Sequence, residues 1–159
     1  MRQEELLRIM SKNAKISTED MAAMLEASEE EIQETIARME EEGIICGYPT
    51  LINWDCTDNE MVTALIEVNV ALHRETGFDK VAERIYNYPE VNSVYLISGS
   101  FDFMVTIEGK TLREVSQFVS DKLSPLDSVL STKTNFILKK YKDHGTVMAE
   151  QPKDERIEM

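Results

Sequence analysis

One short segment carries groups that could bind an amino acid. Ser98–Asp102 lies between two β-prone segments, and Gly99 permits a positive φ and close approach of a ligand to the backbone. The carboxylate of Asp102 could bind an α-ammonium group, while N–H groups of the turn could bind an α-carboxylate. The alternative is an ordinary hairpin turn in which Asp102 accepts a hydrogen bond from the loop backbone.

A second set of residues has the types that contact DNA. Ser28 starts a helix whose outer face projects Gln33 and Arg38, and Lys12 and Lys15 precede it in the chain. Glutamine can pair with adenine, and arginine can contact bases or phosphates. We therefore predict base contacts from Gln33, base or phosphate contacts from Arg38, and phosphate contacts from Lys12 and Lys15.

The charge of the same region argues against DNA binding. Residues 28–42 contain seven glutamates and one arginine. Phosphate neutralisation dominates the affinity of proteins for DNA, and glutamate cannot supply it. The alternative is a helix-turn-helix that serves packing or contacts another protein.

Other chemistry finds little support in the sequence. The histidines, His73 and His144, are far apart and have no cysteine or carboxylate at ligand spacing, and Cys46 and Cys56 do not make a disulfide framework. There is no Gly-rich phosphate loop and no nucleophile motif. The sequence predicts no metal, no cofactor and no enzymatic activity.

Composition limits the class of protein. The chain has 159 residues, 42% of them hydrophobic, and a net charge of −13, of which residues 1–55 contribute −8. The apolar content excludes a disordered chain. The two longest uncharged runs, Gly43–Trp54 and Val91–Phe101, are too short for a membrane span, and the N-terminus lacks a signal-peptide pattern. We expect a cytoplasmic protein that does not bind membranes.

The first part of the chain predicts an N-terminal DNA-binding domain over residues 1–45. A helix over 2–10 is followed by capping boxes at Ser17 and Ser28, each opening a short helix, and Gly43 ends the last one. This is a helix-turn-helix pattern. Inward-facing methionines are expected at positions 21, 24 and 39. Residues 46–60 are predicted to form a wing or hinge strand and a linker.

The sequence of residues 61–142 predicts an α+β domain. Apolar alternation and helical spacing give the order β-α-β-β-α-β, a ferredoxin-like unit. Its two helices cover one face of the sheet, and a homodimer would cover the other face. We expect some of Phe101, Phe103 and Phe136 at that interface. Residues 143–159 are predicted to be an acidic, disordered tail.

Several segments, in order, resemble the Lrp/AsnC family of feast/famine regulators. They are Glu40–Ile45 with Gly47-Tyr48, Pro89–Val91 with Val94-Tyr95, and Ser98–Asp102. The resemblance covers residues 2–142. It implies a winged helix-turn-helix, a ferredoxin-like (RAM-type) domain, binding of DNA and of a small effector, commonly an amino acid, and assembly of homodimers, often into octamers.

The resemblance also implies where the effector binds. Ser98, Gly99 and Asp102 would contact it, and Thr132 and Thr134 would line the same cleft between dimers. The predicted function is a DNA-binding transcriptional regulator that responds to an amino acid. The alternative is a metabolite sensor or partner-binding module that no longer binds DNA. A third reading, similarity to haem-biosynthesis decarboxylases, would require more histidines and arginines than this chain has.

Overall fold

The computed structural model describes residues 3–73 and 77–148. The chain divides into two compact units, Met1–Leu51 and Ile52–Met159. Residues 1–2 and 74–76, together with residues 149–159 of the predicted tail, lie outside the described part of the chain. Among the residues described, no helix has the length and apolarity needed to cross a membrane.

The first unit consists of three helices, α1 (Gln3–Lys12), α2 (Thr18–Leu25) and α3 (Glu29–Glu41). One apolar core holds them together, formed by Leu6, Met21, Ala22, Ile32 and Met39. The prediction of inward-facing methionines is confirmed at positions 21 and 39. It is wrong for Met24, which is 61% exposed, because α2 turns Met21, Ala22 and the half-buried Leu25 inward instead.

The helix boundaries follow from local hydrogen bonds. The hydroxyl of Ser17 accepts from the N–H of Asp20, and that of Ser28 accepts from the N–H of Glu31, so both serines are N-caps as predicted. Gly43 ends α3 with a φ of +71°. Its N–H donates to Glu40, and the next N–H donates to the carbonyl of Met39, which is the Schellman pattern.

The turn between α2 and α3 contains an unusual residue. Glu26 adopts a left-handed conformation, with φ 52° and ψ 41°, at the end of α2. An L-residue with a Cβ pays roughly 1–2 kcal/mol for this conformation, which glycine adopts without that cost. Glu26 and the following Ala27 let the chain reverse within a few residues before α3 begins.

The predicted wing strand is absent. No residue from 44 to 53 belongs to a strand. Gly47 and Pro49 interrupt the β-prone residues, and proline has no N–H for a ladder. The side chain of Tyr48 instead donates to Glu40 at 2.5 Å, and this carboxylate raises the pKa of Tyr48. A single turn of 3₁₀ helix follows at Trp54–Cys56.

The second unit has the predicted order of elements. Its strands are β1 (Val62–Val70), β2 (Val91–Leu96), β3 (Phe103–Gly109) and β4 (Val129–Phe136), and its helices are α4 (Phe78–Tyr86) and α5 (Leu112–Phe118), which continues as a π-helical turn, Val119–Leu123. The strands form one antiparallel sheet in the order β2-β3-β1-β4. This is the ferredoxin-like order.

The core of this unit lies between the sheet and its helices. The buried face of the sheet is made by Ala64, Ile66 and Val68 of β1 and by Phe103, Val105 and Ile107 of β3. Phe103 and Phe136 belong to this covered side, so neither lies on the face that was predicted to be covered by a homodimer. Register explains it, because Phe136 pairs with Ala64, and Phe103 with Val68. Phe101 precedes β3 and is half-buried.

Within the described residues of the second unit, no helix covers the other face of the sheet. We call it the open face; it consists of Thr63, Leu65, Glu67, Asn69, Ser93, Tyr95, Met104, Thr106, Glu108, Ser131, Lys133 and Asn135. Most of these side chains are polar and uncharged. Several bond to one another across strands, as Asn69 does with Ser131 at 3.1 Å.

The start of the predicted tail is ordered. Strands β5 (Lys142–Asp143) and β6 (Thr146–Val147) form a small hairpin, so disorder from residue 143 is a wrong prediction for residues 143–148. His144 and Gly145 both have positive φ, which matches the turns that favour hairpins. The side-chain amide of Asn53 donates to the carbonyl of Met148 at 3.2 Å. Composition alone could not reveal this tertiary anchor.

Candidate effector and DNA-binding sites

Asp102 is held firmly at the end of the sheet. Its Oδ2 atom accepts from the N–H of Val70 at 2.8 Å, and its own N–H donates to the carbonyl of Val68 at 3.0 Å. Its carbonyl accepts from the N–H of Ile97 at 2.8 Å, which closes the turn. The turn is therefore fixed to the end of β1 through Asp102. This tie to another strand differs from the loop-internal bond considered from the sequence.

The turn itself is open to solvent. Ser98 and Gly99 are exposed, so their backbone is accessible to a ligand. Gly99 does not use the positive φ that glycine permits; among the described glycines, Gly43 and Gly145 have positive φ. The loop has four residues between Ile97 and Asp102, enough to reverse the chain without that conformation. A Cβ at Gly99 would meet Ile97 at an ordinary 3.5 Å.

Thr132 and Thr134 lie on β4, at the edge of the sheet. They pair with Val68 and Ile66, so both face the helix-covered side, and both are partly buried. The hydroxyl of Thr132 lies 3.3 Å from that of Ser124, which follows the π-helical turn. Ser124 is a candidate that sequence reasoning missed, since only the fold brings it to Thr132.

Register relates the two parts of the predicted effector site. Phe103, Val68 and Thr132 occupy one row across three strands. Adjacent strands are about 4.8 Å apart, so Thr132 lies roughly 10 Å from Phe103, the residue that directly follows Asp102. The turn and Thr132 thus share one end of the sheet, and Thr134 lies further along β4. Strand β1 separates the two groups, and no hydrogen bond joins them in the described residues.

The cations predicted to contact DNA are accessible. Lys12, at the end of α1, and Lys15 are exposed, and neither has an ion pair within the described residues. Ser28 is exposed, but its hydroxyl oxygen is used as the N-cap of α3. The primary role of Ser28 in this structure is therefore to start the helix.

The outer face of α3 combines its two predicted contact residues with acidic neighbours. Gln33 and Arg38 are both exposed. The Nε atom of Arg38 lies 4.0 Å from Oε1 of Glu42, one turn further along the chain. Both side chains remain about half exposed, at 56% and 51%, so this pair is weak and can open. The single cation of residues 28–42 nevertheless has a competing anion beside it.

Comparison with known proteins decides the family. The sequence profile of the Lrp/AsnC ligand binding domain matches residues 63–147. The uncharacterized HTH-type transcriptional regulator YugG of Bacillus subtilis is 46% identical over 157 residues, covering 98% of this chain and 95% of that protein. The chain belongs to the Lrp/AsnC family of transcriptional regulators. The leucine-responsive regulatory protein of Haemophilus influenzae is 24% identical over 138 residues, covering 87% of this chain and 82% of that protein.

Solved Lrp/AsnC structures share the fold. Escherichia coli AsnC superposes with a TM-score of 0.65 at 17% identity, covering 87% of this chain and 91% of that one. The transcriptional regulator NMB0573 of Neisseria meningitidis, solved as a complex with L-Met, gives a TM-score of 0.70 at 20% identity, covering 91% and 93%. Both sets of candidate effector residues, 98–102 and 132–134, fall within the part matched by the ligand-binding profile.

Proposed function

We propose that this Lrp/AsnC regulator binds DNA through α2 and α3 and binds an amino acid through its second unit. The observation that carries the proposal is the match of a ligand-binding profile to the unit in which Asp102 fixes an exposed turn to the sheet. The second unit would bind the metabolite, and the first unit, with its exposed cations and capped α3, would bind DNA. This arrangement suits a protein whose DNA binding is regulated by the metabolite.

An amino acid is the effector class that the chemistry favours. The carboxylate of Asp102 suits an ammonium group, and the exposed backbone of Ser98 and Gly99 suits a carboxylate. The complex of the related NMB0573 with L-Met supports this class. Thr132 and Thr134 are proposed to contribute from the edge of the sheet.

The DNA contacts are assigned to the first unit. Gln33 and Arg38 would reach base edges or phosphates from α3, and Lys12 and Lys15 would contact phosphates, with Ser28 setting the start of the helix. These few cations make each contact weak. Assembly into a homodimer through the open face, and of dimers into an octamer, would add their contributions by multivalency. A change of assembly on effector binding would couple the two sites.

A second candidate function is a metabolite sensor that does not bind DNA. The observation favouring it is the acidic outer side of α3, where seven glutamates of residues 28–42 surround one arginine that is already paired with Glu42. This function predicts effector binding and self-association without affinity for DNA.

Fluorescence anisotropy with DNA from the protein's own upstream region tests the choice. The titration should run from low to physiological salt, with and without a panel of amino acids. DNA binding that weakens steeply with salt, and that an amino acid shifts, would support the regulator. Absence of binding at low salt, together with amino-acid binding by calorimetry, would contradict it and favour the sensor.

A further inference from the structure

The open face differs in charge from the rest of the chain. Of its twelve side chains, only Glu67, Glu108 and Lys133 are charged, so its net charge is −1. The whole chain carries −13. Two copies that meet through this face therefore bring only one net negative charge each into contact, which limits their repulsion there. A face that carries both signs of charge can also be complementary to itself about a two-fold axis.

One row of side chains crosses the middle of the open face. The ladder aligns Tyr95, Met104, Glu67 and Lys133, one from each of the four strands. Tyr95 is 56% exposed, which leaves a large aromatic surface uncovered. The row thus combines apolar area at one end with an ion pair at the other.

Glu67 has two partners on β4. Its Oε2 atom lies 3.8 Å from Nζ of Lys133 and accepts from Nδ2 of Asn135 at 2.9 Å. Its side chain is only 22% exposed, whereas that of Lys133 is 75% exposed. Because β1 is a central strand, any layer covering the open face would remove Glu67 from water and leave it dependent on these two partners.

We infer that Lys133 determines whether the second copy in the proposed homodimer can cover the open face, because it neutralises Glu67 as that face is buried. This inference rests on the homodimer included in the proposed function and deepens it. A buried carboxylate without a cation is costly, while the carboxylate paired and hydrogen-bonded is tolerated. Lys133, on an edge strand, reaches Glu67 while its stem covers apolar surface.

The inference predicts an asymmetric response to substitution. Lys133→Met keeps a long apolar side chain and removes the cation, so it should weaken dimerisation on the order of 100-fold, because Glu67 is then buried unpaired. Glu67→Gln should have a small effect, since the flexible lysine can reach solvent. The double variant Glu67→Gln/Lys133→Met leaves no unpaired charge and should restore the wild-type dimerisation constant to within about threefold.

Sedimentation equilibrium of the full chain measures these constants. Lys110→Met is the matched control, because Lys110 is exposed and lies off the open face. Circular dichroism checks that each variant is folded. A wild-type protein that stays monomeric would overturn this inference and the proposed homodimer together. A wild-type dimer that Lys133→Met leaves unchanged, or that the double variant fails to restore, would overturn the role of Lys133 alone.

Discussion

Oδ2 of Asp102 accepts a hydrogen bond from the backbone N–H of Val70 at 2.8 Å, which ties the turn after β2 to the end of β1. One carboxylate thus positions the turn and is also the proposed partner of an effector ammonium. The two roles can be separated, since asparagine keeps the acceptor oxygen and loses the charge. Asp102→Asn should leave the melting temperature nearly unchanged and weaken amino-acid binding about tenfold or more, as calorimetry would measure.

Asp102→Ala is the matched comparison. It removes the acceptor for Val70 as well as the charge, so it should lower the free energy of unfolding by about 1–2 kcal/mol in addition to weakening effector binding. If Asp102→Asn binds the amino acid with wild-type affinity, the carboxylate has only its structural role, and the effector site must be sought elsewhere in the unit.

Removal of the anion beside Arg38 should strengthen DNA binding. Glu42→Gln eliminates one negative charge near the proposed DNA contacts and releases the arginine from its pair. We expect affinity to rise roughly 3- to 10-fold at low salt and less at physiological salt. Glu83→Gln, on the exposed side of α4, makes the same charge change outside the first unit and is the control. Equal effects of both variants would show that only net charge matters.

The left-handed Glu26 predicts a stabilising substitution. Glu26→Gly should raise the free energy of unfolding of the helical unit by about 1 kcal/mol, because glycine adopts a φ of 52° without strain from a Cβ. Glu26→Gln removes the same charge and keeps the strain. Thermal unfolding of the two variants separates conformation from charge. A gain in Glu26→Gln equal to that in Glu26→Gly would assign the effect to charge repulsion.

Acid should weaken the ion pair between Glu90 and Lys122 in the second unit. Lys122 donates to Oε1 of Glu90, which lowers the pKa of Glu90 below its usual 4.5, and the lysine also lies over the rings of Tyr88 and Phe118. Since the folded-state pKa is lowered, this stabilisation is complete above pH 4.5 and disappears as the pH falls through the lowered value.

Glu90→Gln should remove that part of the pH dependence. Both side chains are more than a third exposed, so we expect a contribution below about 1 kcal/mol. Urea unfolding of wild type and variant at pH 7 and at acid pH would measure it. Parallel losses of stability in the two proteins on acidification would contradict the assignment to Glu90.

Local signals in the sequence predicted the helices and their ends well. Ser17, Ser28 and Gly43 act within a few residues of themselves, so their roles as caps need no tertiary information. The order of strands and helices in the second unit was likewise readable, because alternation and helical spacing reflect the burial of one face of each element.

The errors arose where a distant partner decides the outcome. The face occupied by Phe103 depends on its register with Val68, and the role of Asp102 depends on Val70, which is 32 residues away. Residues 44–53 have β-prone side chains but form no strand in the described structure, so propensity alone misled. The polar open face was missed because a homodimer was expected to need apolar side chains.

The hydrogen bond between Asn53 and Met148 joins the point where the chain enters the second unit to the residue that follows strand β6. Residues 53 and 148, which flank the sheet and helices of the second unit, therefore lie close to each other in space. Such a unit is suited to circular permutation. A short linker could connect residue 148 to residue 53, and new termini could be opened at an exposed loop such as the one at Lys110.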